Sequence, residues 1–452
     1  MRKRALPDLN DPAIMRLILR LALPSVAGLS INAINQVVDA FFVSQYALSA
    51  MAGVTLSIPC FMLVGAIGHG LGLTASTEIG RALGRDNVQD AARSASLALA
   101  LAIGFGVSVA ILITLFHGPI LHLLGARNEV FTEASIYMRI LGACSVLVLL
   151  QIVCDFIAIG EGNSRFSMYT LLGSFGLNMV LDPILIFGFE LGVAGAAWAT
   201  IISQIAALCA YVYYFKKRLG RIHPDVGALH ALSWRKALVP FGKLGIPAST
   251  TTILASICFA ALMQAATRHG NEEELAGLAI SLRIVLLAIL PIIGFCLGAQ
   301  PILSYAAGAG NQARFEAVFT GILLYCAAFS ITCAVIAFLF GDWLIAAFVS
   351  KAELITFGAH LLDILAIQVA FVGIYQPMVS RFQAAHNARR AAIVSMAPQG
   401  YIQLPLALFL PMAFGLDGIV IAPALAAGLT ALIAVALTFS DRKTLLIKEL
   451  SS

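Results

Sequence analysis

Charged side chains are scarce in this chain: Asp, Glu, Lys and Arg make up only 11% of its 452 residues. Soluble domains carry about 25% charged residues, so a globule this large could not cover its surface with water-compatible groups. Because 60% of the residues are hydrophobic, the chain is not disordered either. A collagen-like fibre is excluded, since the 38 Gly and 16 Pro show no period of three. The class of protein that fits this composition is a membrane protein that crosses the bilayer many times.

Paired cysteines and enzyme motifs are also missing. The eight cysteines stand singly in apolar stretches without CxxC or zinc-ligand spacing, which indicates buried free thiols. There is no Walker A loop, HExxH or GxSxG, so neither ATP-driven pumping nor hydrolysis is indicated. We expect no cofactor and no metal site, and no basic, aromatic-rich patch indicates a nucleic acid partner. The basic start lacks the short apolar core and cleavage site of a signal peptide.

Long apolar runs between charge clusters predict the fold. A bilayer span needs about 20 apolar residues, and none of these runs alternates apolar and polar residues as a barrel strand would. We therefore predict an all-α polytopic membrane protein. Its twelve transmembrane helices are expected at 14–43, 51–80, 91–116, 134–159, 165–188, 192–215, 245–268, 276–305, 316–340, 356–382, 392–414 and 417–440.

Lysine and arginine are distributed unevenly between the two sides of these spans. If the N-terminus is cytoplasmic and alternate loops are inside, 23 of the 28 basic residues fall on the cytoplasmic side. This excess predicts a multi-pass membrane protein with both termini in the cytoplasm.

The same pattern occurs twice along the chain. Pro24 and Pro247 open the two copies, and glycine motifs follow in the same order at offsets of 223–226. Six helices per copy give both copies the same orientation in the membrane. We therefore expect two pseudo-symmetric six-helix lobes, 1–215 and 245–452, joined by a cytoplasmic linker at 216–244, as in secondary transporters. The alternative is chance self-similarity of a glycine-rich apolar sequence.

Acidic residues inside the spans are the main functional candidates, since each costs a few kcal/mol at mid-bilayer unless it is paired or hydrated. Asp39 and Asp182 lie at one depth in the outer layer of the N-terminal lobe, and Thr200 shares that depth. Asn178 precedes Asp182 by one helical turn, on the same face. Two carboxylates with amide and hydroxyl neighbours can take up a proton or Na⁺. The alternative is a satisfied structural hydrogen-bond cluster.

Other polar residues in the predicted spans have more than one possible role. His69 is interpreted as a packed residue, and Asp155, near the inner end of helix 4, as interfacial or cavity-lining. The matched depths of Arg283 and Asp363 suggest an ion pair that either stabilises the C-terminal lobe or binds substrate or a cation. Pro24 can act as a hinge in helix 1. The candidate substrate-cavity residues are Asn32, Asn35, Gln36, Tyr137, Asp155, Arg283 and Asp363.

Several of these motifs resemble those of one known family. Residues 34–43 (INQVVDAFFV) resemble the first-helix signature of the multidrug and toxic compound extrusion (MATE) family, and residues 79–84 resemble the end of its second helix. Residues 161–163, 177–187 and 192–200 are similar to its helix 4–6 block. The resemblance covers essentially the whole chain and is nearest to the DinF-like bacterial branch.

The resemblance implies a V-shaped, two-lobed antiporter that exports cationic or amphipathic compounds in exchange for H⁺ or Na⁺. It also implies that Asp39, Asn178, Asp182 and Thr200 form the cation site. The chain departs from the family in having Asn35-Gln36 where Tyr-Asn is frequent, Asp155 where Asn is usual and Ile159 where Arg is common. These departures change the polarity of the cavity.

We therefore expect a multidrug efflux antiporter of the bacterial inner membrane that works by alternating access as a monomer, with H⁺ or Na⁺ as the coupling ion. A flippase for lipid-linked substrates is the alternative, but its cavity should be larger and more basic, and only Arg139 and Arg283 are candidates to line one. An intramembrane enzyme is disfavoured, because His69 has no evident catalytic partner.

Overall fold

The computed structural model describes residues 7–224, 227, 234–269, 272–349 and 351–450, and within them the fold is helical without strands. The first half contains α1 (Ile14–Tyr46), α2 (Leu48–Gly84), α3 (Val88–Leu123), α4 (Asn128–Ala143), α5 (Ser145–Gly160), α6 (Ser164–Pro183) and α7 (Val193–Lys216). The second half contains α8 (Trp234–Pro240), α9 (Ile246–His269), α10 (Glu272–Gly308), α11 (Gln312–Ala346), α12 (Ala352–Ala384), α13 (Ala388–Met396) and α14 (Gln403–Leu450). Short π-helical turns occur at Ile184–Gly188, Phe241–Gly245 and Ala397–Tyr401.

The described helices provide twelve membrane crossings. Ten helical segments are long and apolar enough to cross a bilayer, and the bent pair α4–α5, with 54° between its arms, supplies an eleventh. One of the ten, Ala388–Ser440, has 53 residues and would be about 80 Å long if straight. It is broken at Gly415, where φ is 58°, and so accounts for two crossings. The predicted all-α fold with twelve transmembrane helices is confirmed.

Large apolar side chains cover the outside of the helices. Leu115, Phe338 and Trp343 are each about two-thirds exposed or more (67%, 67% and 72%). Exposed apolar area of this extent would aggregate in water, whereas lipid solvates it. The backbone groups are satisfied inside the helices, as a bilayer requires.

The internal repeat is visible in the local geometry. Gly192 and Gly415, 223 residues apart, adopt almost the same left-handed conformation, with φ/ψ of 56°/−134° and 58°/−132°. Only glycine adopts this region without strain. Four helices also begin alike, because a side-chain oxygen accepts a hydrogen bond from the backbone N–H three residues on. These capping residues form two pairs 224 residues apart, Asn87 with Asn311 and Asn163 with Asn387.

The two halves pack closely at the ends predicted to be cytoplasmic. Gly298 of α10 lies against Leu21 of α1, and Gly84 of α2 lies against the backbone of Tyr305. Gln300 donates a hydrogen bond to Thr77 across the same interface (3.1 Å). The residue boundaries of the lobes stay a prediction, and residues 225–226 and 228–233 of the predicted linker lie outside the described chain.

Candidate functional site

Helices α1 and α6 bring two carboxyl groups together in the outer layer of the N-terminal half. Asp182 is fully buried near the end of α6, and Asn178 Nδ2 donates to its Oδ1 at 3.1 Å, as their spacing predicts. Asp39 of α1 is close enough for its charge to interact with that of Asp182. The structure therefore assembles three of the four residues expected in a cation site.

The end of α6 has an unusual backbone beside this pair. Asp182 directly precedes Pro183, which has no N–H, and the chain continues as the π-helical turn Ile184–Gly188 before α7 begins. Turns of this kind are rare and occur frequently at functional sites. The local sequence thus places the buried carboxyl at an irregular helix end.

Three buried oxygen atoms lack a hydrogen-bond donor within the described protein: Asp39 Oδ1, Asp182 Oδ2 and the Oδ1 of Asn35, which lies one helical turn before Asp39 on α1. Burying an acceptor without a donor costs about 1–3 kcal/mol. A proton shared by the carboxyls would satisfy the oxygens of Asp39 and Asp182, and a hard monovalent cation coordinated by oxygen could also take the amide oxygen of Asn35 as a ligand. The described residues hold no cluster of three or more His, Cys, Asp or Glu that could hold a metal ion.

Tyr137 and Thr200 differ from what the sequence predicts. Tyr137 of α4 is buried and lies within electrostatic reach of both Asp39 and Asp182, so it belongs to this layer and not to the wall of the substrate cavity. Thr200 of α7 donates to Ala196 of its own helix at 3.1 Å. Its part in a cation site stays a prediction. We call Asp39, Tyr137, Asn178 and Asp182 the acid layer.

A cavity of about 340 Å³ lies on the inner side of the acid layer. Its wall includes Pro24 and Asn32 of α1, and Asn32 is seven residues, or about 10 Å, below Asp39. Helix α1 is continuous through Pro24, so the hinge stays a prediction. Of the predicted cavity residues, Asn35, Gln36, Arg283 and Asp363 do not line it. Its polar lining residues are Ser25, Asn32, His69, Gln151, Asp155, Ser167 and Gln204.

Asp155 lies in the cavity wall and is not an interfacial residue. Ser167 Oγ donates to its Oδ1 at 3.1 Å, and the Tyr211 hydroxyl donates to the same oxygen. These two donors fix the carboxyl group against the cavity. His69 packs its ring edge-on against Phe156, 5.2 Å between centroids, so it is a packed residue as predicted and also lines the cavity.

The predicted ion pair between Arg283 and Asp363 is wrong. Arg283 is exposed on α10 beside Leu286 and Leu287, which are also exposed. Asp363 of α12 has His360 and Asp342 as its charged neighbours. Equal depth in the membrane does not fix how each helix is rotated about its axis, so it does not predict a contact between the two side chains.

Glu161 is a buried polar residue that the sequence predictions do not include. It follows α5 and is fully buried, with its carboxylate accepting hydrogen bonds from the backbone N–H groups of Arg221 (2.7 Å) and Ile222 (3.1 Å) and from the Tyr214 hydroxyl. Burial raises the pKa of Glu161 to about 7, although these donors oppose the shift. The sequence signal for this residue is the Glu161-Gly162-Asn163 turn, which resembles part of the MATE helix 4–6 block.

Comparisons with known proteins agree with this architecture. The MatE family model matches residues 24–184 and 247–409, once in each half. The multidrug export protein MepA of Staphylococcus aureus is 28% identical over 441 residues, which are 97% of this chain and 96% of MepA. MepA of Staphylococcus saprophyticus is 27% identical over 440 residues, with the same coverage.

Solved structures share the fold over nearly the full length. A MATE transporter in a bent conformation is 25% identical, with a TM-score of 0.89 and 97% of both chains covered. An outward-facing multidrug resistance MATE family transporter is 24% identical, with a TM-score of 0.88 over 96% of this chain and 97% of its own. Since the family model covers most of both halves, the chain belongs to the MATE family of multidrug efflux transporters and is not an enzyme.

Proposed function

We propose that the protein is a secondary active antiporter that exports cationic or amphipathic small molecules in exchange for H⁺ or Na⁺. The observation that carries this proposal is the set of buried acceptor oxygens without donors on Asn35, Asp39 and Asp182. Two carboxyl groups in reach of each other, inside an apolar lobe, favour binding of one positive charge between them. No nucleotide site is needed, because an ion gradient supplies the free energy.

Coupling between the ion and the substrate follows from helix α1. Asp39 lies in the acid layer, while Asn32 and Pro24 of the same helix line the cavity. A cation that joins Asp39 to Asp182 of α6 changes the position or bend of α1, and this changes the cavity wall below. Substrate then leaves toward the outside, and the lobes rock to reload the site from the cytoplasm.

The cavity supports a cationic substrate. Asp155 is the one carboxyl group on its described wall, which includes no Lys or Arg, and Phe156 and Phe175 add aromatic surface. The volume of about 340 Å³ falls within the range of small-molecule sites. A flippase for large lipid-linked anions is not favoured, since such a ligand would need a wider and more basic cavity.

The coupling assignment is tested by efflux from vesicles with a pH gradient and a Na⁺ gradient imposed separately. We expect Asp39→Asn and Asp182→Asn to lower gradient-driven efflux at least tenfold. Asp363→Asn is the matched control, a carboxyl inside the other lobe and outside the acid layer, and it should retain efflux. Undiminished gradient-driven efflux in both acid-layer variants would contradict the proposal.

The role of Asp155 is tested by comparing substrates of different charge. In Asp155→Asn we expect the KM for a permanently cationic aromatic dye to rise about tenfold, while a neutral compound of similar size is transported as before. Asp155 lines the cavity and lies outside the acid layer, so the dependence on the ion gradient should persist. An equal change in KM for both substrates would show that Asp155 acts only on structure.

The membrane placement is part of the same proposal. The distribution of Lys and Arg supports an inner-membrane protein with cytoplasmic termini, and one chain contains both lobes, so we propose that the monomer is the working unit. Reporter fusions at each terminus and cross-linking at native expression levels test these two points.

A further inference from the structure

Residues 7–11, which precede α1, form a short folded segment on the cytoplasmic face that we call the strap. Asp8 Oδ1 accepts a hydrogen bond from the backbone N–H of Asn10 (3.0 Å), and Asp11 N–H donates to the Asp8 carbonyl (3.0 Å). Asp11 in turn accepts from the N–H of Ala13 at the start of α1 (2.9 Å). The strap is therefore a compact turn joined to α1.

The strap is anchored to the N-terminal half by Leu9. This side chain is completely buried, and it packs against Gly162 in the turn between α5 and α6. Arg221, just beyond α7, donates to the Pro7 carbonyl (3.2 Å). The backbone N–H of Arg221 is itself bonded to Glu161, so this anchor is fixed to the end of α5.

The C-terminal half reaches the strap through Arg314. Its guanidinium Nη2 donates to the carbonyls of Leu9 (2.6 Å) and Asp11 (3.0 Å), while its backbone N–H is held by the capping residue Asn311. The repeat offset of 224 places Asp90 at the equivalent position of the first half, where it pairs with Arg93 of its own helix. The contact made by Arg314 is therefore not repeated in the first half. It connects the C-terminal half to the strap, which is anchored to the N-terminal half.

We propose that the strap is a latch that keeps the lobes together on the cytoplasmic side and thereby sets how often the transporter opens inward. Opening must separate the start of α11 from the α5–α6 turn. Either the two hydrogen bonds of Arg314 break, or Leu9 leaves its buried site. Charge-assisted hydrogen bonds of this kind shift a two-state equilibrium by roughly tenfold or more when they are removed. The proposal rests on the rocking movement of the lobes, but not on the identity of ion or substrate.

The test measures cytoplasmic opening directly, in a variant without native cysteines that still transports. Ser304→Cys is the reporter, because Ser304 is buried in α10 against Gly80 of α2 and becomes accessible only when the halves separate. We expect Arg314→Gln and Leu9→Ala each to raise the rate of maleimide labelling in inside-out vesicles about five- to tenfold. Arg85→Gln is the matched control, an exposed arginine on the same face, and should leave the rate unchanged.

Two results would overturn the latch. One is an unchanged labelling rate at position 304 in both strap variants. The other is an equal rise at a second reporter, Ala98→Cys, which lies in the core of the N-terminal half and reports general loosening. The assay needs neither substrate nor an ion gradient, so its failure is distinct from failure of the antiport proposal.

Discussion

Glu161 gives a pH-dependent prediction at the scale of one residue. Because burial raises its pKa from an ordinary value of 4.5 to about 7, the folded protein holds this proton more tightly than the unfolded chain does. The stabilisation that this tighter proton binding gives the folded state is therefore complete below pH 4.5 and is lost as the pH rises to about 7. Glu161→Gln removes this dependence. We therefore expect the melting temperature of the variant, relative to that of the parent, to increase by several degrees from pH 5 to pH 8.

The measurement is thermal unfolding in detergent across this pH range. Glu353→Gln serves as control, because Glu353 is exposed and its variant should follow the parent at every pH. Parallel pH profiles for the parent and Glu161→Gln would show that the buried carboxyl does not titrate as its surroundings indicate.

Individual residues also show which contacts the sequence predicts and which it does not. Helical spacing and depth along the chain suffice to bring Asn178 and Asp182 together and to place Asp39 in the same layer. The same reasoning fails for Arg283 and Asp363, because depth carries no information on helix rotation. What Asp39 and Asp182 bind stays a prediction, since position alone does not reveal a coupling ion.

At the scale of helices, glycine decides how closely α2 and α10 approach. A Cβ at Gly84 would lie 2.1 Å from the Tyr305 carbonyl oxygen, so Gly84→Ala forces the two backbones apart. We expect a loss of about 1–3 kcal/mol in the free energy of unfolding. Gly104→Ala is the control, since nothing lies within 4 Å of a Cβ there and alanine favours the helix by up to about 1 kcal/mol.

Comparison of the two glycine variants in one melting experiment separates packing from helix propensity. A Gly84→Ala protein that melts with the parent would mean that the close approach is not needed. The sequence predicts most helix positions. It does not reveal the bend between α4 and α5, because Cys144 at the bend is neither proline nor glycine.

For the whole molecule, the proposed alternating access requires the lobes to separate at their closely packed ends, which are predicted to be cytoplasmic. Ser304 Cβ lies 2.8 Å from where a Cβ on Gly80 would be, against about 3.5–4.5 Å in disulfides, so a small shift permits a cross-link. In a background without native cysteines, oxidation of Gly80→Cys/Ser304→Cys should reduce efflux at least tenfold, and reduction of the disulfide should restore it.

The single variants and Gly104→Cys/Ser304→Cys control for the substitutions, since Gly104 is exposed on α3 and lies away from this interface. Full efflux from a protein shown to be cross-linked would contradict alternating access at this interface. An arrested, cross-linked protein should still bind a cationic dye from the outer side, because the acid layer and every cavity-lining residue except Leu297 belong to the N-terminal half, and neither Gly80 nor Ser304 lines the cavity. Loss of transport with retained dye binding would therefore show that transport requires separation of the lobes, whereas binding does not.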